Sequence, residues 1–103
     1  MDYQLVLQFE GDSLEILDSI VELEDNLIEA LDDIAEVDGH DVGSGEANIY
    51  IFTSDPSVAF QRIRPLLEHI KSPKLLAVAY RESDGENYTT LWPSGTEAKF
   101  SIK

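Results

Sequence analysis

The sequence predicts a single α+β domain, spanning residues 1–103, that contains two helices and several β-strands. Three observations predict this class. Short segments with alternating apolar residues, typical of strands, flank two segments whose apolar residues recur at helical spacing. The turn signals between them are short. The 103 residues are 43% hydrophobic, which is enough for one packed core.

The first strand is predicted over Tyr3–Glu10, where apolar and polar residues alternate. A helix follows, with Asp12 as its N-cap and Glu15 completing a capping box, and it is expected to run to about Asp33. Its apolar residues recur at helical spacing and are expected to pack on the sheet. They are Ile16, Ile20, Leu23, Leu27, Leu31 and Ile34, with Leu17, Val21 and Ile28 beside them.

A Gly-Ser-Gly turn at 43–45 separates an extended segment from an apolar run at 47–53. This pattern predicts a hairpin whose second strand is buried. A second helix is predicted to begin after Asp55, which acts as its N-cap, with Pro56 at the first helical position. Pro65 is expected to kink or divide this helix because proline has no amide donor.

The last third of the chain is predicted to form strands joined by turns. An apolar segment at 75–81 indicates a strand, and Asp84-Gly85 is a hairpin signal that leads into a strand within 87–92. Alternation at 98–102 predicts a final strand.

The order of elements is thus β-α-β-β-α-β over about residues 3–82, followed by a β-hairpin. This order resembles the ferredoxin-like split βαβ fold with an additional C-terminal β-hairpin. The resemblance implies a two-layer sandwich with one sheet face left for the C-terminal strands or a partner. It rests on element order, so it implies no functional residue. We find no linker, internal repeat or low-complexity tract.

The chain contains no cysteine, which excludes disulfides, thiolate metal sites and cysteine nucleophiles. Its first residues lack the positively charged region of a signal peptide, and no apolar run approaches the roughly 18 residues of a membrane span. We therefore expect a cytoplasmic protein.

The net charge of −14 is distributed unevenly along the chain. Residues 1–60 hold 16 of the 21 acidic residues and no Lys or Arg, whereas residues 61–103 hold all seven basic residues. The electrostatic field of so many carboxylates repels phosphate backbones and anionic lipid headgroups. The charge therefore argues against nucleic acid and membranes as partners and favours a basic protein or a metal cation.

Six carboxylates of the first predicted helix follow one another at spacings of 3, 4, 3, 4 and 3 residues, which places them along one face. They are Glu15, Asp18, Glu22, Asp25, Glu29 and Asp32. Like charges at these spacings cost about 0.2 to 0.5 kcal/mol per pair, and no lysine on the helix relieves them. We predict that these residues bind a basic partner, through electrostatic steering and charge-assisted hydrogen bonds to Lys and Arg.

In size, charge and absence of cysteine the chain is similar to bacterial immunity proteins. This resemblance implies a non-enzymatic inhibitor that covers the cationic cleft of a nuclease toxin. Two alternatives remain open. One is a ligand-binding or enzymatic domain that uses a sheet-face or dimer-interface cavity with His40, Asp41, Glu46 or Tyr88; a homodimer would suit this fold. The other is a domain whose acidity serves solubility alone.

A second candidate group lies around the glycine-rich turn and consists of Asp38, His40, Asp41 and Glu46. An EF-hand loop counted from Asp38 requires acidic or amide side chains where this chain has Val42 and Ile49. The glycines also fail to form a dinucleotide-binding motif. The sequence therefore predicts neither a metal site nor a cofactor, and it favours a polar hairpin rim in this region.

Overall fold

Two helices and a five-stranded sheet make up the fold in the computed structural model, which describes residues 2–70, 72–93, 100 and 102. The elements are β1 (Tyr3–Glu10), α1 (Leu14–Leu31), β2 (Ala35–Gly43), β3 (Glu46–Thr53), α2 (Pro56–His69), β4 (Leu75–Glu82) and β5 (Thr89–Trp92). The predicted α+β class is confirmed. In the described part of the chain, neither helix has the length and apolar character needed to cross a membrane.

The sheet has the strand order β2-β3-β1-β4-β5, and every neighbouring pair is antiparallel. The central strand is β1, in which Leu7 lies opposite Ile49 of β3 and Val78 of β4. β2 lies at one edge of the sheet and β5 at the other. The predicted strand over Tyr3–Glu10 is confirmed at both ends.

The main core lies between one face of the sheet and the two helices. Its buried sheet residues include Leu5, Leu7, Phe9, Ala47, Ile49, Ile51 and Val78, and its buried helix residues include Ile20, Leu23, Leu27, Leu31, Ala59, Phe60, Ile63 and Leu67. Both helices thus bury an apolar face against the same side of the sheet, as their helical spacing predicts. This arrangement is compatible with the predicted two-layer sandwich.

The opposite face of the sheet carries a smaller cluster formed by Val6, Ala79 and Phe100. Phe100 also packs on Tyr88, with 4.8 Å between the ring centroids. Phe100, which follows β5 in the chain, therefore helps to cover this face. The predicted strand at 98–102 falls largely outside the described residues.

Helix α1 begins one residue later than the capping box predicts. Ser13 is the N-cap, and its side-chain oxygen accepts a hydrogen bond from the amide of Ile16. Asp12 instead accepts a hydrogen bond from the amide of Gly45, at 3.0 Å, and so ties the start of α1 to the β2–β3 turn. The predicted cap at Asp12 is therefore wrong, because a backbone donor from another element competes for its carboxylate.

The β2–β3 hairpin is confirmed, and its loop consists of Ser44 and Gly45. Both residues have positive φ, 55° and 84°, which is the conformation of a type I′ turn. Such a turn matches the twist of the flanking strands, and glycine adopts it without steric cost.

Helix α2 begins as predicted: Asp55 accepts a hydrogen bond from the amide of Val58, and Pro56 occupies the first helical position. The helix is continuous from Pro56 to His69 and includes Pro65. Pro65 therefore does not divide it. Tertiary packing of Ile63 and Leu67 on the core holds the segments on both sides of the proline in one helix.

Candidate functional site

The six carboxylates predicted to bind a partner are all exposed in the structure. We call them the acidic ridge: Glu15, Asp18, Glu22, Asp25, Glu29 and Asp32. They lie on the side of α1 that faces away from the buried Ile20, Leu23 and Leu27, because residues three or four positions apart share one face of a helix. The ridge therefore follows the outer surface of α1 over its whole length.

No hydrogen bond or ion pair of the described residues engages any carboxylate of the acidic ridge. The described arginines bind elsewhere. Arg62 contacts Asp33, and Arg64 contacts Glu68 within α2. Arg81 donates to backbone carbonyls at the end of β4 and in the turn after it. The negative charges of the ridge thus face solvent, and no basic side chain of the described residues neutralises them.

A basic side chain from the neighbouring helix contacts the end of α1. Arg62 of α2 donates to the Asp33 carboxylate at 2.8 Å and to the carbonyl of Ala30 at 3.2 Å. The hydrogen bond from Arg62 lowers the pKa of Asp33 below its usual value, with a smaller contribution from the charge of Arg62. Because α1 has no basic residue in its last turn, this guanidinium offsets the negative end of the helix dipole.

An exposed apolar row runs beside the acidic ridge. It consists of Leu14, Val21 and Ile28, whose exposed fractions are 79%, 44% and 52%. Five large hydrophobic side chains are exposed in the described part of the chain, and these are three of them. The prediction that Val21 and Ile28 pack on the sheet is therefore wrong: the sheet covers only the stripe through Ile20 and Leu27.

The apolar row lies between the acidic ridge and the β2 edge of the sheet. On a helix, Val21 neighbours Asp18 and Asp25 of the ridge on one side and Glu24 on the other. Glu24 is mostly buried, and its carboxylate contacts Nδ1 of His40 on β2. The row therefore lies on the side of α1 that is nearest to the edge strand β2.

A repeat of seven residues accounts for both the ridge and the row. Residues 14–20 (LEILDSI), 21–27 (VELEDNL) and 28–34 (IEALDDI) each begin and end with an aliphatic residue, with Glu second and Asp fifth. The first position of the repeat supplies the apolar row, and the second and fifth supply the ridge. This period of seven keeps residues on one face of a helix, and it was the sequence signal for the row.

On its other side, the ridge borders a groove of about 310 Å³ between the two helices. Glu22 and Asn26 of α1 line it together with Leu66 and His69 of α2. The middle of the ridge is therefore flanked by the apolar row on one side and by this partly polar groove on the other.

The structure separates the polar residues around the β2–β3 hairpin. A β-bulge between Val37 and Gly39 contains Asp38, which is exposed. His40 lies opposite Ile49 and so faces the helix layer, where its contact is Glu24. Among the described residues, no hydrogen bond joins His40 to Asp38 or Asp41, because the bulge changes the alternation and α1 brings the carboxylate of Glu24 to His40 instead.

Asp41 and Glu46 lie on the other face of the sheet. Asp41 is exposed opposite Asn48, whereas Glu46 is buried and accepts a hydrogen bond from Asn48 at 3.4 Å. Burial raises the pKa of the neighbouring Tyr50, and the charges of Asp41, Tyr88 and Glu46 add to this effect. Within the described residues, no three or more His, Asp or Glu side chains are placed to hold a metal ion.

Comparison with known proteins found no match for this chain among protein-family models, curated proteins or solved structures. The acidic ridge and the apolar row of α1 therefore have to be interpreted from their own geometry and charge.

Proposed function

We propose that this chain is a non-enzymatic binding protein that engages a basic protein partner through the acidic ridge of α1. The observation that supports this proposal is the exposure of all six carboxylates without an ion pair in the described residues. A partner rich in Lys and Arg would supply the missing counter-charges. It would also associate rapidly, because complementary fields steer the encounter of two proteins.

The energetics of α1 support a role for the ridge beyond solubility. Five successive like-charge neighbours at helical spacing cost on the order of 1 to 2.5 kcal/mol before screening by salt. Arg62 offsets charge at Asp33, just after α1, but no ion pair of the described residues includes a carboxylate of the acidic ridge. A local arrangement that costs stability without internal compensation is more common at functional sites than elsewhere.

The proposed class is an immunity or inhibitor protein of the cytoplasm that covers a cationic cleft. The proposed fold is the ferredoxin-like split βαβ arrangement with β5 added beside β4. The strand order β2-β3-β1-β4 with antiparallel neighbours and both helices on one face supports this assignment. The fold leaves the outer surface of α1 free of other elements in the described residues, as a docking helix requires.

Affinity capture from lysate of the source cells tests this function. The bait proteins are the wild type, a ridge variant with Glu22, Asp25 and Glu29 replaced by Lys, and a control with three exposed acids elsewhere replaced by Lys. The control positions are Glu36, Glu82 and Glu86. Both variants change the net charge equally, so only the position of the charge differs. Circular dichroism and thermal melting establish that all three proteins are folded.

We expect a basic protein that is retained by the wild type and the control, lost by the ridge variant, and released as salt screens the contact. The purified partner is then titrated against the three proteins by calorimetry. Recovery of the same proteins, with equal affinity, by the ridge variant would contradict the proposed function.

A further inference from the structure

We infer that the acidic ridge and the apolar row together bind one amphipathic basic helix of the partner protein, laid along α1. This inference rests on the proposed function and specifies the chemistry of the partner. The occupant carries apolar residues at a spacing of seven, which cover Leu14, Val21 and Ile28. Beside them it carries Lys and Arg, which pair with the acidic ridge.

The spacing of the apolar row favours a helix as the occupant. Leu14, Val21 and Ile28 repeat every seven residues, and the row extends about 21 Å at 1.5 Å per residue. Two helices that cross at a small angle keep their apolar residues in contact when both have this period. An occupant of about 15 residues, slightly more than two repeats, is long enough to cover the row.

Exposure distinguishes this row from hydrophobic residues scattered over a surface. Its members are three of the five exposed large hydrophobic side chains in the described residues, and all three are in register on one helix. Single exposed apolar residues are normal. Three that are aligned at a spacing of seven on one helix are typical of a helix that packs on another helix. The mostly buried Glu24, which contacts His40, closes the strip on the side of β2.

The charge of the acidic ridge determines which kind of helix can bind along the apolar row. Asp18 and Asp25 neighbour Val21 on the helix surface, and Asp25 and Asp32 neighbour Ile28. A helix that covers the row therefore places its flanking residues against carboxylates. Lys and Arg at these positions form charge-assisted pairs, whereas a second copy of α1 would bring two acidic ridges together. The charge of the ridge thus selects a basic helix over self-association.

Synthetic peptides of about 18 residues test this inference by fluorescence anisotropy. The first peptide has Leu at seven-residue spacing with Lys and Arg beside it. The second is a scrambled isomer with the same composition and charge but no apolar strip. The protein is tested as the wild type, as the ridge variant, and as a row variant that carries Val21→Ser and Ile28→Ser. Val58→Ser is the matched control, because Val58 is an exposed valine of α2 at 48%, close to the 44% of Val21.

We expect the amphipathic peptide to bind the wild type at least tenfold more tightly than the scrambled peptide. The row variant should lose about tenfold in affinity for the amphipathic peptide and little for the scrambled one, and Val58→Ser should bind as the wild type does. Circular dichroism of the mixture should show that the amphipathic peptide gains helix on binding.

Equal binding of the two peptides, with both lost in the ridge variant, would overturn this inference and leave the proposed function standing. Unchanged binding of both peptides to the ridge variant would instead contradict the proposed function. Sedimentation of the wild type alone supplies a further check. A dimer that the row variant abolishes would identify a second copy of the chain as the occupant and overturn the inference.

Discussion

The guanidinium of Arg62 lies 2.8 Å from the carboxylate of Asp33 and joins the end of α1 to the middle of α2. The same nitrogen donates to the carbonyl of Ala30, so one side chain satisfies both a carboxylate and a carbonyl of the last helical turn. This contact offsets part of the charge that accumulates at the negative end of the α1 dipole. It links the two helices across the outer surface of the helix layer.

Replacing Arg62 by Gln should lower the free energy of unfolding at neutral pH. The pKa of Asp33 is lowered in the folded protein, mainly by its hydrogen bond to Arg62, so this carboxylate contributes stability above its ordinary pKa of 3.8. The contribution is lost as the pH falls through the lowered pKa of the folded state. The stability difference between wild type and variant should therefore narrow in acid, as measured by urea unfolding at pH 7 and below pH 3.8.

The same variant should raise the pKa of the Asp33 carboxyl towards its ordinary value in an NMR titration. Arg64→Gln, which removes the pair with Glu68 within α2, is the control and should leave that pKa unchanged. A pKa of Asp33 that is the same in wild type and in Arg62→Gln would refute the structural account of this contact.

Neutralising the middle of the acidic ridge should stabilise the fold. Glu22→Gln, Asp25→Asn and Glu29→Gln together remove four pairs of neighbouring like charges. The free energy of unfolding should therefore rise by about 1 to 2 kcal/mol at low ionic strength. The gain should shrink as salt is added, because these exposed charges are screened. Chemical unfolding at low and high salt measures both effects. Glu36→Gln, Glu82→Gln and Glu86→Gln form the control, and an equal gain there would mean that only net charge matters.

Adjacent apolar residues of α1 should respond very differently to truncation. Leu27 is fully buried in the core, so Leu27→Ala should cost about 2 to 5 kcal/mol of unfolding free energy. Ile28 is 52% exposed, so Ile28→Ala should change stability by less than about 0.5 kcal/mol. Thermal and urea unfolding of the two variants measure the contrast. A large loss for Ile28→Ala would place that residue in the core and remove the apolar row.

The two polar residues before α1 should have separable roles. Ser13→Ala should cost about 1 kcal/mol, because it removes the N-cap hydrogen bond to Ile16. Asp12→Ala should instead speed hydrogen exchange at the Gly45 amide, whose acceptor it removes. Amide exchange followed by NMR distinguishes the two sites. Faster exchange at Ile16 in Asp12→Ala, with Gly45 unaffected, would restore Asp12 as the cap.

Local patterns in the sequence were sufficient to predict most elements of this fold. Alternation in β1, the two positive-φ turn residues of the hairpin and the Asp55-Pro56 start of α2 all depend on neighbouring residues, so their signals survive without tertiary information. The six carboxylates of the ridge also follow from spacing alone, since helical periodicity fixes which residues share a face.

Long-range contacts decided what local patterns left ambiguous. A helix packs only one stripe of its surface on a sheet, and in α1 that stripe contains Leu27, whereas Val21 and Ile28 stay exposed. The carboxylate of Asp12 accepts a hydrogen bond from the amide of Gly45, 33 residues later in the chain, and does not cap the helix. In the same way, Glu24 rather than a hairpin acid became the partner of His40.

The sequence by itself thus determined the α+β class, the position of each described element to within a few residues, and the line of acidic side chains on α1. Only the tertiary structure decided that the line lacks an internal counter-charge among the described residues and runs beside an exposed apolar row. The reason is physical. Periodicity assigns residues to a face, but exposure depends on what packs against that face, and the described elements leave the outer face of α1 to a partner in our proposal.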